Sequence, residues 1–121
     1  MVVLDTNIII DYLIGKEKIV SLINRFADNE LATTFVNKYE LLKYKNRRIL
    51  DEVIENLKIY YSNDISTEAS AVAYHKLKAN GKMMSDNDLL IFGVCAANSE
   101  QLITQDKAFL ALESSQVSVI E

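Results

Sequence analysis

The chain has 121 residues, half of them apolar, enough for one domain with a real core and too few for two. No run approaches the roughly 18 to 20 apolar residues of a membrane span, and Met1-Val2-Val3-Leu4-Asp5 lacks the basic head of a secretory leader; with Cys95 unable to form an internal disulfide, a cytoplasmic protein is expected. The net charge of −4 weighs against general polyanion binding, and a single Cys with a single His removes zinc-ribbon readings.

Val2 to Asp5 reads as a buried strand, Ile8 to Leu13 as a short helix stopped near Gly15, and Lys16 to Asp28 as a helix with Ile19, Leu22, Ile23 and Phe26 on one face. That face belongs either to the core or to a partner groove. Leu31 to Thr34 is a short strand, helical segments follow from Asn37 to Tyr44 and from Arg47 to Leu57, and Lys58 to Tyr61 is a third strand. Ser66 is the expected N-cap of a helix that runs to Asn80, with Gly81 its stop. Ser85-Asp86-Asn87-Asp88 opens a helix that is apolar nearly all round from Leu89 to Ala97, so it is expected in the interior, with Gly93 permitting close packing. Leu102 to Thr104 is a further strand, Lys107 to Leu112 a short helix and Val117 to Ile120 a last strand. Strands alternating with helices predict a parallel sheet covered on both faces by right-handed crossovers.

Four acidic residues stand where these elements begin or end: Asp5, Glu40, Asp88 and Asp106. Each has a plain alternative. Asp5, Thr6 or Asn7 could cap the first helix, Glu40 could be a surface residue, Ser85-x-x-Asp88 is close to a capping box, and Asp106 could cap the helix after its strand. In combination they are candidates for one site, because Asp5 and Asp106 follow strands at the edge where open α/β sheets bind ligands. Clustered carboxylates cannot all ionise cheaply without a counter-charge, and a hard divalent cation supplies one. Such an ion can activate water, relieve charge on a phosphodiester and stabilise the departing oxygen.

The combination also resembles a known family. Leu4-Asp5-Thr6-Asn7-Ile8-Ile9-Ile10-Asp11-Tyr12-Leu13, Tyr39-Glu40-Leu41-Leu42, Asn87-Asp88-Leu89-Leu90-Ile91 and Leu102-Ile103-Thr104-Gln105-Asp106-Lys107-Ala108-Phe109 look like the motifs of PIN-domain ribonucleases, in order and over essentially the whole chain. The compact length most resembles the VapC toxins of toxin-antitoxin pairs. The resemblance implies a single PIN domain over residues 1–121, an α/β fold arranged as a Rossmann-like three-layer α/β/α sandwich with a central parallel sheet. It implies an endoribonuclease that uses Mg²⁺ or Mn²⁺ at Asp5, Glu40, Asp88 and Asp106, with Asn7 and Thr104 shaping the site. It also implies a homodimer and a cognate antitoxin whose C-terminal segment blocks the acidic pocket. Two rival readings stand beside it: a catalytically silent PIN-like binding module, and a receiver-like signalling domain with an Asp beside Mg²⁺.

The remaining chemistry is sparse. Lys38, Lys43, Lys45, Arg47 and Arg48 form a basic segment around Glu40, either in contact with RNA phosphates or as a solvated helix end. Asp86, two positions before Asp88, is expected outside the site. His75 is read as a surface residue and Cys95 as a small hydrophobe of the buried helix. The six tyrosines are expected mostly half-buried between helices and sheet, with Tyr39 and Tyr44 the candidates for stacking on RNA bases.

Overall fold

Adjacent residues of a strand face opposite sides of a sheet, and in strand β1 (Val2–Leu4) both sides are dry, since Val3 and Leu4 are buried. A strand of this kind belongs in the middle of a sheet covered on both faces. The computed structural model describes residues 1–121, the side chain of Arg47 excepted, and places β1 at the centre of five parallel strands. The other strands are β2 (Leu31–Thr34), β3 (Lys58–Tyr60), β4 (Gln101–Thr104) and β5 (Val117–Val119). On one face Val3, Ala32 and Leu102 pack with Ile91, Cys95 and Phe109. On the other, Leu4 and Ile103 pack with Ile8, Ile9, Ile19, Ile23, Leu41 and Leu50.

The helices are α1 (Thr6–Leu13), α2 (Glu17–Ile23), α3 (Phe35–Leu42), α4 (Arg47–Glu55), α5 (Asp64–Ala79) and α6 (Asp86–Ala97), with 3₁₀ turns at Asp28–Glu30 and Lys107–Leu112. The predicted three-layer α/β/α arrangement is therefore the observed one. Helix α6 is the interior helix that its apolar sequence predicts, and α5 lies against it. Gly93 makes that packing possible, because a Cβ there would stand 1.9 Å from Ser70 Oγ and 2.5 Å from the Ser66 carbonyl oxygen.

The strand order is β3-β2-β1-β4-β5. The chain steps outward from β1 to β3, then crosses back to place β4 on the other side of β1. The switch point thus falls between the C-terminal ends of β1 and β4, where ligands bind in open α/β sheets. Receiver-type domains use a 2-1-3-4-5 order instead, so the observed topology removes that rival reading.

Several boundaries differ from expectation by a few residues, and three of them show why. Helix α2 ends at Ile23, because the amides of Arg25 and Phe26 bond three residues back to Leu22 and Ile23, turning Phe26 in against the core. Helix α3 begins at Phe35 with Thr34 as its cap. Ser66 is not the N-cap of α5: Asn63 caps it, and Ser66, three residues on, reaches back to the Asn63 amide at 2.8 Å in a capping box. Among the described residues no helix is long and apolar enough to cross a membrane.

Candidate active site

Asp5 leaves the end of β1 and caps α1, its Oδ1 accepting from the Thr6 amide at 2.8 Å. The same oxygen accepts from Asn37 Nδ2 at 2.8 Å, and Oδ2 accepts from Thr104 Oγ1 at 2.5 Å. Each carboxylate oxygen has two lone pairs, so Oδ1 is saturated and Oδ2 keeps one direction open. Thr104, at the end of β4, takes the Asp106 amide on the same hydroxyl at 3.0 Å, which ties the two acids into one frame. Asp106 Oδ1 then accepts from the Ala108 amide at 2.9 Å and caps the 3₁₀ turn. Capping and site geometry are therefore not alternatives here: the caps are what aim the carboxylates.

Glu40 reaches the same place from α3. Its Oε1 accepts from Thr6 Oγ1 at 2.7 Å, and Thr6 Oγ1 in turn accepts from Asn37 Nδ2 at 3.0 Å. Asn37 is wholly buried, and its Oδ1 is held by Thr34 Oγ1 at 2.7 Å. Asp88 stands in the first turn of α6, with its amide on Ser85 Oγ at 3.2 Å. The four acids, with Thr6, Asn7, Asp11 and Tyr44, line one cleft of about 320 Å³ whose lining, among the described residues, contains no Lys or Arg.

The electrostatics follow from that composition. Burial raises the Asp5 carboxyl above its ordinary value, against the hydrogen bonds from Thr104, Thr6 and Asn37. Partial burial, then the neighbouring Asp106 carboxylate, push Asp88 up to about 6, with Asp5 and Glu40 adding to the repulsion. The cleft is a strongly negative site. Among the described residues no three Asp, Glu, His or Cys side chains converge to enclose a bare ion. The donor set suits a hydrated Mg²⁺, which dehydrates reluctantly and takes one or two carboxylates directly while keeping waters.

Several predicted residues stand elsewhere or act indirectly. Asn7 Oδ1 accepts from the Gln105 amide at 3.2 Å, so Asn7 pins the loop that carries Asp106. Lys43, Lys45 and Arg48 are exposed and do not line the cleft, and the side chain of Arg47 lies outside the described residues. Asp86 is exposed and also outside the cleft lining, His75 is exposed on α5, and Cys95 is fully buried, its thiol pushed up to about 12 by burial. The tyrosines correct the expectation: Tyr12, Tyr39, Tyr44, Tyr61 and Tyr74 are exposed, and only Tyr60 is half-buried. In the α2 segment Ile19 and Ile23 are core, while Ile23 and Phe26 also border an apolar groove of about 620 Å³ against α4.

Two residues escaped sequence reasoning. Asn37 joins Asp5 to the Thr6-Glu40 pair, and the available signal was Thr34-x-x-Asn37 directly after a strand at the ligand edge. Asp11 lines the cleft, accepts from Gln105 Nε2 at 2.7 Å and pairs with Lys16 at 3.2 Å. The Gln105 hydrogen bond, more than Lys16, holds its carboxyl below the usual range.

A doubly wound parallel sheet with a carboxylate-lined cleft at its switch point defines an α/β protein with an acidic ligand site. The family model described as "PIN domain" matches residues 2–114, and the chain belongs to that family. No curated protein matches the chain. Among solved structures it is similar to VapBC-1 from nontypeable Haemophilus influenzae, at 26% identity and TM-score 0.83, with 98% of each chain covered. A toxin-antitoxin complex from Klebsiella pneumoniae shares the fold at 18% identity and TM-score 0.82, covering 98% of this chain and 97% of that one. VapBC2 from Rickettsia felis, bound to a DNA fragment from its promoter, shares it at 21% identity and TM-score 0.80 over the full length of both.

Proposed function

We propose that this protein is a metal-dependent endoribonuclease, the toxin of a toxin-antitoxin pair, that hydrolyses RNA phosphodiester bonds in the cleft of Asp5, Glu40, Asp88 and Asp106. The observation that carries the reading is the convergence of these four carboxylates on one cleft with no cationic side chain in its lining among the described residues. A phosphate cannot approach such a site unless a cation comes with it. Bound Mg²⁺ or Mn²⁺ would supply charge relief and water activation, and the open oxygens of Asp5 and Asp106 are the first choice to hold it. Thr104 and Asn37 keep Asp5 aimed, and Thr6 keeps Glu40 turned toward the same space.

The partner follows from the relatives. The solved neighbours are described as VapBC and toxin-antitoxin assemblies, and an antitoxin with a basic segment would complement the acidic cleft. A homodimer remains part of this proposal.

The test is cleavage of a mixed RNA pool by purified protein in Mg²⁺ or Mn²⁺, with chelator and Asp5→Asn as controls. Cutting that needs both metal and Asp5 supports the nuclease. One observation favours the silent binding module: no three ligands converge on a bare ion among the described residues. Under that reading, antitoxin-free protein cuts no RNA and no divalent cation changes its melting temperature.

A further inference from the structure

Exposed aromatic rings stand on and around helix α3, which carries Glu40. Tyr39 is 59% exposed, Tyr44 48% and Tyr61 58%. Tyr44 lines the cleft itself, Tyr39 precedes Glu40 on α3, and Tyr61 follows the last residue of β3, at the same sheet edge. Lys43 Nζ lies 5.0 Å from the Tyr39 ring centroid, and Lys38 Nζ lies 5.8 Å from that of Tyr61 while donating to its hydroxyl at 3.3 Å. Residues 31–50 hold five of the chain's 13 basic residues and one of its 17 acidic ones, so this segment is positive on a protein of net charge −4.

We propose that Tyr39, Tyr44 and Tyr61, with Lys38 and Lys43 over or beside their rings, form a stacking track that leads a single strand of RNA into the carboxylate cleft. The inference rests on the nuclease reading and names the side chains that hold its substrate. Bases in a duplex have their faces covered by neighbouring bases, whereas unpaired bases can lie on aromatic side chains while lysines meet the phosphates. Sequence-tolerant stacking of this kind fits rings that stand exposed to solvent. Charge selects nucleic acid over a basic protein segment, which the lysines would repel.

The experiment measures binding and cutting separately. Binding of a short fluorescent RNA, single-stranded or annealed into a duplex, is titrated in chelator, where cleavage is silent; with no Trp in the chain, quenching of tyrosine emission is a second readout. Tyr39→Ala and Tyr61→Ala are each expected to weaken single-strand binding about 5- to 100-fold, raising KM with kcat unchanged, while Tyr39→Phe and Tyr61→Phe retain binding. Wild-type affinity in the alanine variants, or equal affinity for duplex, overturns the track. Alanine variants that lose a protein partner while keeping RNA affinity also overturn it, in favour of a protein-docking surface. Wild-type protein that binds through these rings and cuts nothing with Mg²⁺ or Mn²⁺ overturns the nuclease reading alone and leaves the track as a binding surface.

Discussion

Asn37 Nδ2 donates to Asp5 Oδ1 at 2.8 Å, joining residues 32 positions apart through a bond shielded from water. The amide's second donation, to Thr6 Oγ1, passes the constraint on to Glu40. One buried side chain therefore sets the orientation of two of the four acids.

Asn37→Ala should lower kcat at least tenfold with little change in KM, because the loss falls on carboxylate placement and not on RNA contact. It should also cost about 1–3 kcal/mol in stability, since Thr34 and Asp5 each lose a buried partner. Steady-state kinetics and urea denaturation on the same preparation check both. A variant with unchanged kcat would show that Asn37 is only structural.

Asp88 gives a pH prediction with a definite sign. Its folded-state value of about 6 lies above the ordinary 3.8, so between those values the folded protein binds more protons than the unfolded chain. The stability due to the neutral form is present below about pH 4 and is lost as pH rises through about 6. In chelator, Asp88→Asn should therefore melt closer to wild type at pH 4.5 and higher than wild type at pH 7.5. The gain should be on the order of 1 kcal/mol, less than the full shift converts to because the group is only partly buried. Thermal melts across that range decide it, and parallel curves for the two proteins would contradict it.

The fold was legible wherever periodicity was strong. The short apolar runs Val2-Val3-Leu4 and Leu102-Ile103, set between helical segments, and the all-apolar α6 gave the parallel sheet and the interior helix. Strand order was not, because β1 pairs with both β2 and β4 across separations that no local pattern records. The acids were found because each sits at the end of an element. Asn37 was missed because a buried asparagine in a helix's first turn looks like any capping residue until its partners arrive from another strand. The tyrosines were misjudged since their ring size suggests burial, while Tyr12 and Tyr74 lie on outward helix faces and Tyr61 follows the end of an edge strand.

Gly93→Ala should destabilise the protein by about 2 kcal/mol, an overpacking cost of about 3 kcal/mol less a gain of about 1 kcal/mol in helix propensity. Ser70 could rotate away, but the Ser66 carbonyl is backbone, so α5 itself must shift. The expected fall in melting temperature is about 5–10 °C. Because α6 carries Asp88, the same shift should weaken metal binding as well. A variant that melts as wild type would mean that the α5–α6 contact is looser than it stands here.

The most direct test of the central claim is Mn²⁺ binding by calorimetry to wild-type protein and to Asp5→Asn, both free of any partner protein. A saturable site in the wild type that is weakened at least tenfold in Asp5→Asn is the predicted result. Absence of Mn²⁺ binding by folded wild-type protein, or equal binding by both, would contradict a metal-dependent centre at the four carboxylates.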